Sequence, residues 1–141
     1  MKILAVDLGK VRTGLAVCDP QECLASPWKV IVQRRMEQLA DEVMHEAHQT
    51  QAEMFVIGLP KNMDGSEGES AQNARSFARL LEEKSGLPVA MWDERGTTMT
   101  AHQYLNVTDT RGKKRKAVVD AVAAVIILQE FLDYRKNHPN P

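Results

Sequence analysis

Residues 2–19, KILAVDLGKVRTGLAVCD, decide the fold of this chain. An apolar run that ends at Asp7 is followed by a glycine-bounded turn, and GLAVCD is a second apolar run. Two such runs joined by this kind of turn predict a β-hairpin. Strand alternation puts Asp7 in the same row as Ile3 and Ala5, so a carboxylate shares a strand face with core residues. Such a carboxylate either serves a site or turns into the hairpin and accepts hydrogen bonds from backbone N–H groups.

The rest of the chain switches between helix and strand patterns. Apolar residues recur every three or four positions from Met36 to about Gln49, which predicts an amphipathic helix. A second helix is predicted from a capping box of Ser66 and Glu69 to about Lys84. The other predicted elements are strands at 24–32, 53–60 and 88–94, a short helix at 97–105, and a last helix from about Lys116 to Tyr134 after a basic loop. This order predicts an α/β fold, a five-stranded mixed sheet with its first three strands antiparallel and helices on its faces.

The composition is that of one soluble domain. The chain has 141 residues, 43% hydrophobic and 26% charged, and we expect a single domain over residues 1–141 with a flexible tail from about residue 136. No apolar run is long enough to span a bilayer, and Asp7 interrupts the N-terminal apolar stretch too early for a signal peptide. We therefore expect a cytoplasmic protein with no membrane partner, and reduced thiols at Cys18 and Cys23.

Asp120 is the carboxylate that most needs an explanation. It interrupts KAVVDAVAAVIIL, residues 116–128, which is otherwise typical of a buried helix. A buried carboxylate normally finds a partner or gives up its charge. One explanation makes Asp120 the N-cap of a helix that begins at Ala121. The KKRKAVV segment before it contains no helix breaker, however, and this favours a helix that continues through Asp120.

Another acid follows the predicted fifth strand, in MWDERGTT. Alternation puts Glu94 on the same face as Trp92 and puts Asp93 on the other face, which leaves open which acid faces a site. Ligands of such sheets lie at the carboxyl ends of strands, where Asp7 and Glu94 both fall. Three converging carboxylates, with Asp120 as the third, would repel one another unless a divalent cation such as Mg²⁺ joined them. Two such ions can activate water and stabilise the leaving oxygen of a phosphodiester.

Four stretches resemble, in order, the successive motifs of a known family. They are LAVDLGKVRTGLAV, VIGLPKNMDGSEG, WDERGTT and KKRKAVVDAVAAVIIL, and they cover essentially the whole chain. On them the sequence resembles the YqgF/RuvX family of ribonuclease H-like proteins. The resemblance implies a ribonuclease H-like fold and a metal-dependent nuclease, a phosphodiester hydrolase that processes the 5′ end of the 16S ribosomal RNA precursor. An older assignment in the family, based on similarity to RuvC, implies a Holliday-junction resolvase instead.

The resemblance also implies the site. The acids of the family correspond to Asp7, Glu94 and Asp120 as catalytic residues. The chemistry of three carboxylates adds the hypothesis that they hold two Mg²⁺ or Mn²⁺ ions, with Asp7 bridging the ions. Three further residues have no settled role: Asn62 and Asp64, which either face the substrate or build a turn, and Asp93. One departure is Gly96, since the family usually has an aliphatic residue after Asp-Glu-Arg.

Positive charge is concentrated in RGKKRK, although the net charge of the chain is −1. The residues expected to bind nucleic acid are Arg111, Lys113, Lys114, Arg115 and Lys116. Lys116 lies one helical turn before Asp120, so it either holds a phosphate near the site or pairs with Asp120. The aromatic candidates for base stacking, Trp92 and Tyr104, are isolated, and this speaks against base-specific recognition.

The expected partner is therefore nucleic acid. Precursor rRNA is favoured, with ribosomal precursor particles as a source of specificity, and branched DNA is the alternative. A resolvase needs two active sites and hence a dimer, and no sequence feature announces a dimer interface. A non-catalytic nucleic-acid-binding module is the remaining alternative, and the presence of all three acids argues against it.

Overall fold

The computed structural model describes residues 1–93 and 112–138, with the backbone alone described for 112–120. Its elements are β1 (Ile3–Asp7), β2 (Arg12–Cys18), β3 (Ala25–Val32), α1 (Met36–Thr50), β4 (Met54–Leu59), α2 (Glu69–Ser85), β5 (Val89–Asp93) and α3 (Gly112–Asn137). The predicted order of strands and helices is confirmed across these residues. The short helix predicted at 97–105 lies outside them.

The five strands form one mixed sheet in the order β3-β2-β1-β4-β5. β1 and β2 pair antiparallel, as do β2 and β3, whereas β4 is parallel to both β1 and β5. The predicted mixed sheet with three antiparallel leading strands is therefore confirmed. Because β1, β4 and β5 run in the same direction, their last residues, Asp7, Leu59 and Asp93, lie along one edge of the sheet, which we call the C-terminal edge.

Helices cover both faces of the sheet. We name the face under α1 and α2 the helix-pair face, and the face under α3 the α3 face. Within β1, Leu4 and Val6 belong to the core of the helix-pair face, while Ile3 and Ala5 belong to the core of the α3 face. β1 is therefore buried on both sides, which is why it is an almost uninterrupted apolar run.

The turn between β1 and β2 requires a glycine. Gly9 donates its N–H to Thr13 Oγ1 over 3.4 Å. A Cβ at Gly9 would lie 2.0 Å from the carbonyl oxygen of Arg12. The turn therefore keeps this conformation only if residue 9 has no side chain.

The start of α2 differs from the prediction. Its N-cap is Gly68, which has an extended backbone and no side-chain cap hydrogen bond. The hydroxyl of Ser66 instead donates to Asp64 Oδ1 over 2.6 Å. The predicted capping box of Ser66 and Glu69 is therefore wrong, because a local side-chain bond inside the loop takes the hydroxyl.

The start of α3 also differs from the prediction. The helix begins at Gly112, about four residues before the predicted start at Lys116, so residues 113–115, predicted to be a loop, belong to its first turns. Lysine and arginine are good helix formers, and a run of them extends a helix as readily as it forms a solvated loop. Asp120 consequently lies well inside α3, and the alternative that made it the N-cap of a helix starting at Ala121 is wrong.

The other end of α3 lies beyond the predicted Tyr134. The helix continues to Asn137, so the expected start of the tail at residue 136 falls within its last turn. Across the described residues, no helix combines the length and the apolar character needed to cross a membrane.

Replacing Gly9 with serine is expected to lower the free energy of unfolding by about 2 kcal/mol, because the new Cβ forces the turn to shift. The matched change Gly68→Ser adds a Cβ in open space and gives α2 a capping hydroxyl, so it should stabilise by a few tenths of a kcal/mol. Urea unfolding measures both variants beside the wild type. Equal effects at the two positions would contradict the crowding inferred at Gly9.

Candidate functional site

Asp7 stands at the C-terminal edge, at the end of the central strand. It is half-buried and pairs across the hairpin with Gly14. The alternation of β1 places it in the row of Ile3 and Ala5, whose side chains pack on the α3 face. Since β1 pairs regularly up to Asp7, the same alternation assigns Asp7 to the face that α3 covers.

The end of β5 separates two neighbouring acids. Ala90 and Trp92 pack against the core of the α3 face, whereas Val89 and Met91 pack against the core of the helix-pair face. The predicted alternation is therefore confirmed up to Trp92. Asp93, the next residue, follows the Met91 row onto the helix-pair face, opposite to Asp7.

Two hydrogen bonds of Gln129 fix the C-terminal half of α3 to the turn between β2 and β3. Its Oε1 accepts the backbone N–H of Ala25 over 3.1 Å, and its Nε2 donates to the carbonyl oxygen of Cys23 over 3.1 Å. This turn lies at the edge where β1 and β4 begin, since Cys18 pairs with Ala25 at the end of β2.

An ion pair strengthens the same attachment. Arg135 Nε donates to Glu22 Oε1 over 2.7 Å, and the ammonium group of Met1 lies 3.0 Å from Glu22 Oε2. The hydrogen bond from Arg135 is the largest cause that lowers the pKa of Glu22; partial burial opposes it, and the ammonium group adds to the lowering. Glu22 has a φ of 58°, so these contacts hold a residue in a left-handed conformation that L side chains rarely adopt.

Trp92 is part of an aromatic cluster, contrary to the prediction that it is isolated. Its ring meets Phe131 edge-on, with centroids 5.9 Å apart, and lies tilted against Tyr134 at 5.4 Å. Tyr134 in turn stacks on His138 at 4.2 Å. The partners come from the far end of α3, so no spacing within the sequence around Trp92 could reveal them. Tyr104, the other candidate, lies outside the described residues.

Asn62 and Asp64 build a turn in the loop before α2. Asn62 Nδ2 donates to Ser66 Oγ over 2.8 Å, and Asp64 Oδ1 accepts the Ser66 N–H over 2.9 Å. Arg75 then ties the loop to α2 through two bonds of 2.7 Å to Glu67, which hold the pKa of Glu67 below its usual range. Of the two roles left open for Asn62 and Asp64, these bonds support the building of the turn.

The structure places only part of the predicted site. Asp7, Asn62, Asp64 and Asp93 are described, whereas Glu94 and Arg111 lie outside the described residues. The backbones of Lys113, Lys114, Arg115, Lys116 and Asp120 belong to α3. Among the side chains that are described, no three histidine, cysteine, aspartate or glutamate residues lie close enough to hold a metal ion. Two cations that the sequence analysis did not single out, Lys10 and Arg34, line a cleft at the C-terminal edge.

The fold is that of a ribonuclease H-like α/β protein. Its features are a mixed sheet, an acid at the end of the central strand and a long C-terminal helix across one face. Solved structures share this fold. Thermus thermophilus RuvC in complex with a Holliday junction substrate has a TM-score of 0.62 at 14% identity, covering 97% of this chain and 96% of that chain. The fowlpox virus resolvase complexed with Holliday junction DNA has a TM-score of 0.60 at 10% identity, covering 95% of this chain and 98% of that chain. At these identities the likeness is one of fold.

The family follows from the sequence comparisons. The profile of the RuvX family, described as Holliday junction resolvase, matches residues 1–134. A protein of Desulfitobacterium hafniense named "Putative pre-16S rRNA nuclease" is 41% identical over 142 residues, which cover 99% of each chain. The chain belongs to the RuvX family, as the resemblance of its four motifs indicated.

The ion pair of Arg135 predicts a pH-dependent stability. Because the folded state lowers the pKa of Glu22, this contribution is complete above the unfolded pKa of about 4.3 and is lost as the pH falls through the folded pKa. Arg135→Gln should therefore lower the free energy of unfolding by about 1 kcal/mol at neutral pH, and the difference from the wild type should shrink below about pH 4. Urea unfolding between pH 3 and 7 measures this.

Lys84→Gln is the matched control, since Lys84 forms an exposed ion pair with Asp41. It is expected to change the free energy of unfolding by less than about 0.5 kcal/mol. A destabilisation by Arg135→Gln that stayed constant from neutral to acid pH would contradict the proposed cause.

Proposed function

We propose that the protein is a metal-dependent nuclease that hydrolyses phosphodiester bonds in the 5′-end processing of the 16S ribosomal RNA precursor, in the cytoplasm. Asp7, Glu94 and Asp120 would form its active site. The observation that carries the proposal is the half-buried Asp7 at the C-terminal edge, on the sheet face that the acid-bearing helix α3 covers. Membership of the RuvX family and the name of the Desulfitobacterium hafniense relative support it.

The path of α3 supports a position of Asp120 near Asp7. Ala124 is fully buried in the core of the α3 face, and Asp120 precedes it by one turn of unbroken helix. Residues one turn apart share a helix face, so this spacing favours a sheet-facing position for Asp120. Gln129 attaches the other half of α3 to the turn between β2 and β3, so Asp120 and this attachment lie on different halves of the helix.

The opposite-face position of Asp93 supports Glu94, the next residue in the sequence, as the second acid of the site. Asp93 follows a residue that packs with α3, so it falls on the face away from Asp7. We therefore expect a site around Asp7 to use Glu94 instead of Asp93.

The basic start of α3 supports a polyanionic substrate. Residues 113–116 are four cationic residues in the first turns of α3. The first turn of this helix contains no acidic residue. The N-terminal end of a helix already carries partial positive charge, so adding cations there is unfavourable in isolation. A bound phosphate backbone would relieve that repulsion and would gain from both sources of positive charge.

The donor set fits divalent ions such as Mg²⁺ or Mn²⁺. Asp7 contributes a carboxylate from a half-buried position, where repulsion between like charges is stronger than in water. Carboxylate oxygens are the ligands that these hard cations prefer. Asp7, Glu94 and Asp120 would hold the ions, which when bound supply Lewis-acid stabilisation of the charge that develops on the phosphate.

A Holliday-junction resolvase is the second candidate. The description of the RuvX family favours it, and resolvases bound to junction DNA share the fold. Resolution of a symmetric junction also needs two sites in a dimer. Curated relatives that are 41% and 38% identical to this chain carry the rRNA name, so we favour RNA processing.

The proposal predicts metal-dependent RNA cleavage. Purified protein is incubated with a labelled pre-16S leader RNA and, in parallel, with a four-way DNA junction, each with Mg²⁺, Mn²⁺ or EDTA. We expect cleavage of the RNA that needs metal and falls at least about a hundredfold in Asp7→Asn, Glu94→Gln and Asp120→Asn. Asp133→Asn, an exposed acid on the same helix, is expected to leave cleavage unchanged.

Each other outcome points to a different function. Symmetric cutting of the junction without cutting of the RNA would make the protein a resolvase. If neither substrate is cut, while the folded wild type and its variants bind RNA equally, the protein is a nucleic-acid-binding module.

A separate variant tests the choice between the two neighbouring acids. Asp93→Asn should keep RNA cleavage within about threefold of the wild type, because Asp93 lies on the face away from Asp7. Thermal unfolding of the same sample shows that the variant is folded. A loss of cleavage as large as that of Glu94→Gln, in a folded protein, would show that the face assignment is wrong.

A further inference from the structure

A cleft opens at the C-terminal edge, on the side of the helix-pair face. Its volume is about 460 Å³, and its walls come from the turn after β1, the segment before α1 and the first turns of α1 and α2. Leu8 and Gly9 follow Asp7 directly and form part of the wall. The cleft therefore adjoins the candidate active site but lies across the sheet edge from α3.

Two exposed cations, Lys10 and Arg34, line this cleft. Neither forms an ion pair with any residue that the structure describes. Ser70 and Asn73 add polar groups from α2, and no aromatic side chain is present in the lining. The cleft is thus equipped to bind an anion and not to stack a base.

Backbone hydrogen bonds hold the two cationic segments together. The N–H of Gln33 donates to the carbonyl oxygen of Val11 over 2.9 Å, which joins the segment of Arg34 to the turn that carries Lys10. Gln33 Oε1 accepts the N–H groups of Arg34 and Arg35 over 3.1 and 3.2 Å. The positions of both cations are therefore fixed by the fold, although their side chains are long.

Glu69 is the one acid in the cleft lining and opposes an anion there. It occupies the first turn of α2, where an acid favours the helix. Its effect on a bound anion is opposite to that of Lys10 and Arg34. Removing the charge of Glu69 should therefore strengthen anion binding, whereas removing either positive charge should weaken it.

We propose that the cleft of Lys10 and Arg34 binds a backbone phosphate of the nucleic-acid strand, next to the bond that Asp7 faces. The proposal rests on the proposed function, since it assigns a second contact to the same substrate. Lys10 and Arg34 are positioning residues here: they hold the strand and touch no reacting atom. Recognition of a phosphate is independent of the base, which fits a lining without aromatic rings.

The test is binding of a fluorescent single-stranded 12-nucleotide RNA in EDTA, measured by anisotropy over a range of salt concentrations. Lys10→Gln and Arg34→Gln are each expected to weaken binding about threefold to tenfold and to reduce the salt slope by about 0.7, the value for one phosphate contact on a single strand. Glu69→Gln should strengthen binding. The effects should be equal for oligo(U) and oligo(A).

Arg35→Gln is the matched control. Arg35 is exposed, adjacent in sequence and equal in charge, but it does not line the cleft. It should change the affinity by less than about twofold, since its charge is screened at physiological salt. Equal losses in the Arg34 and Arg35 variants would overturn the proposal, because they would show a diffuse surface charge.

Two other outcomes separate this proposal from the proposed function. Unchanged RNA binding in the Lys10 and Arg34 variants, with metal-dependent cleavage intact in the wild type, would overturn the cleft and keep the nuclease. Binding of inorganic phosphate that depends on Arg34, with RNA affinity unaffected, would make the cleft a site for free phosphate and overturn the proposal. Absence of RNA binding together with absence of metal-dependent cleavage would overturn both.

Discussion

The burial of β1 on both faces is the constraint on which the structure depends. Ile3, Leu4, Ala5 and Val6 are completely buried, with strands on either side and helices above and below. A charge has no place in such a strand until the chain leaves the core. Asp7 is the first charged residue after this buried run, and it lies at the C-terminal edge. The position of the candidate acid is thus a consequence of how the core is built.

Much of the fold could be predicted because its signals are local. Alternation in β5 correctly separated Met91 from Trp92, since neighbouring side chains of a strand must face opposite ways, and the same rule assigns Asp7 to the row of Ile3. The end of α2 could also be predicted from the sequence: it was expected at about Lys84 and lies at Ser85. Gly86 takes a φ of 71° there, a conformation that few other residues tolerate.

The predictions from sequence were wrong where contacts with distant residues or competing local hydrogen bonds determine the structure. Ser66 has the right spacing for a capping box, yet its hydroxyl bonds to Asp64 in its own loop. Trp92 is isolated along the chain but packs against Phe131 from α3. The cleft of Lys10 and Arg34 exists because a strand turn and a helix start meet in space. Neither hydrophobic periodicity nor a motif in a single sequence indicates contacts between segments that are distant along the chain.

Charge placement explains how a chain with a net charge of −1 can hold a polyanion. A uniform positive field is absent, so attraction must come from local groups that the fold brings to one edge. Under the proposed function the basic turns of α3 and the cleft of Lys10 and Arg34 flank Asp7 from the two sides of the sheet. A strand crossing the C-terminal edge would then be held on both sides of the acid. Under that proposal the arrangement would select for backbone shape and spacing instead of base identity, and it would leave sequence choice to the RNA structure or the particle that presents it.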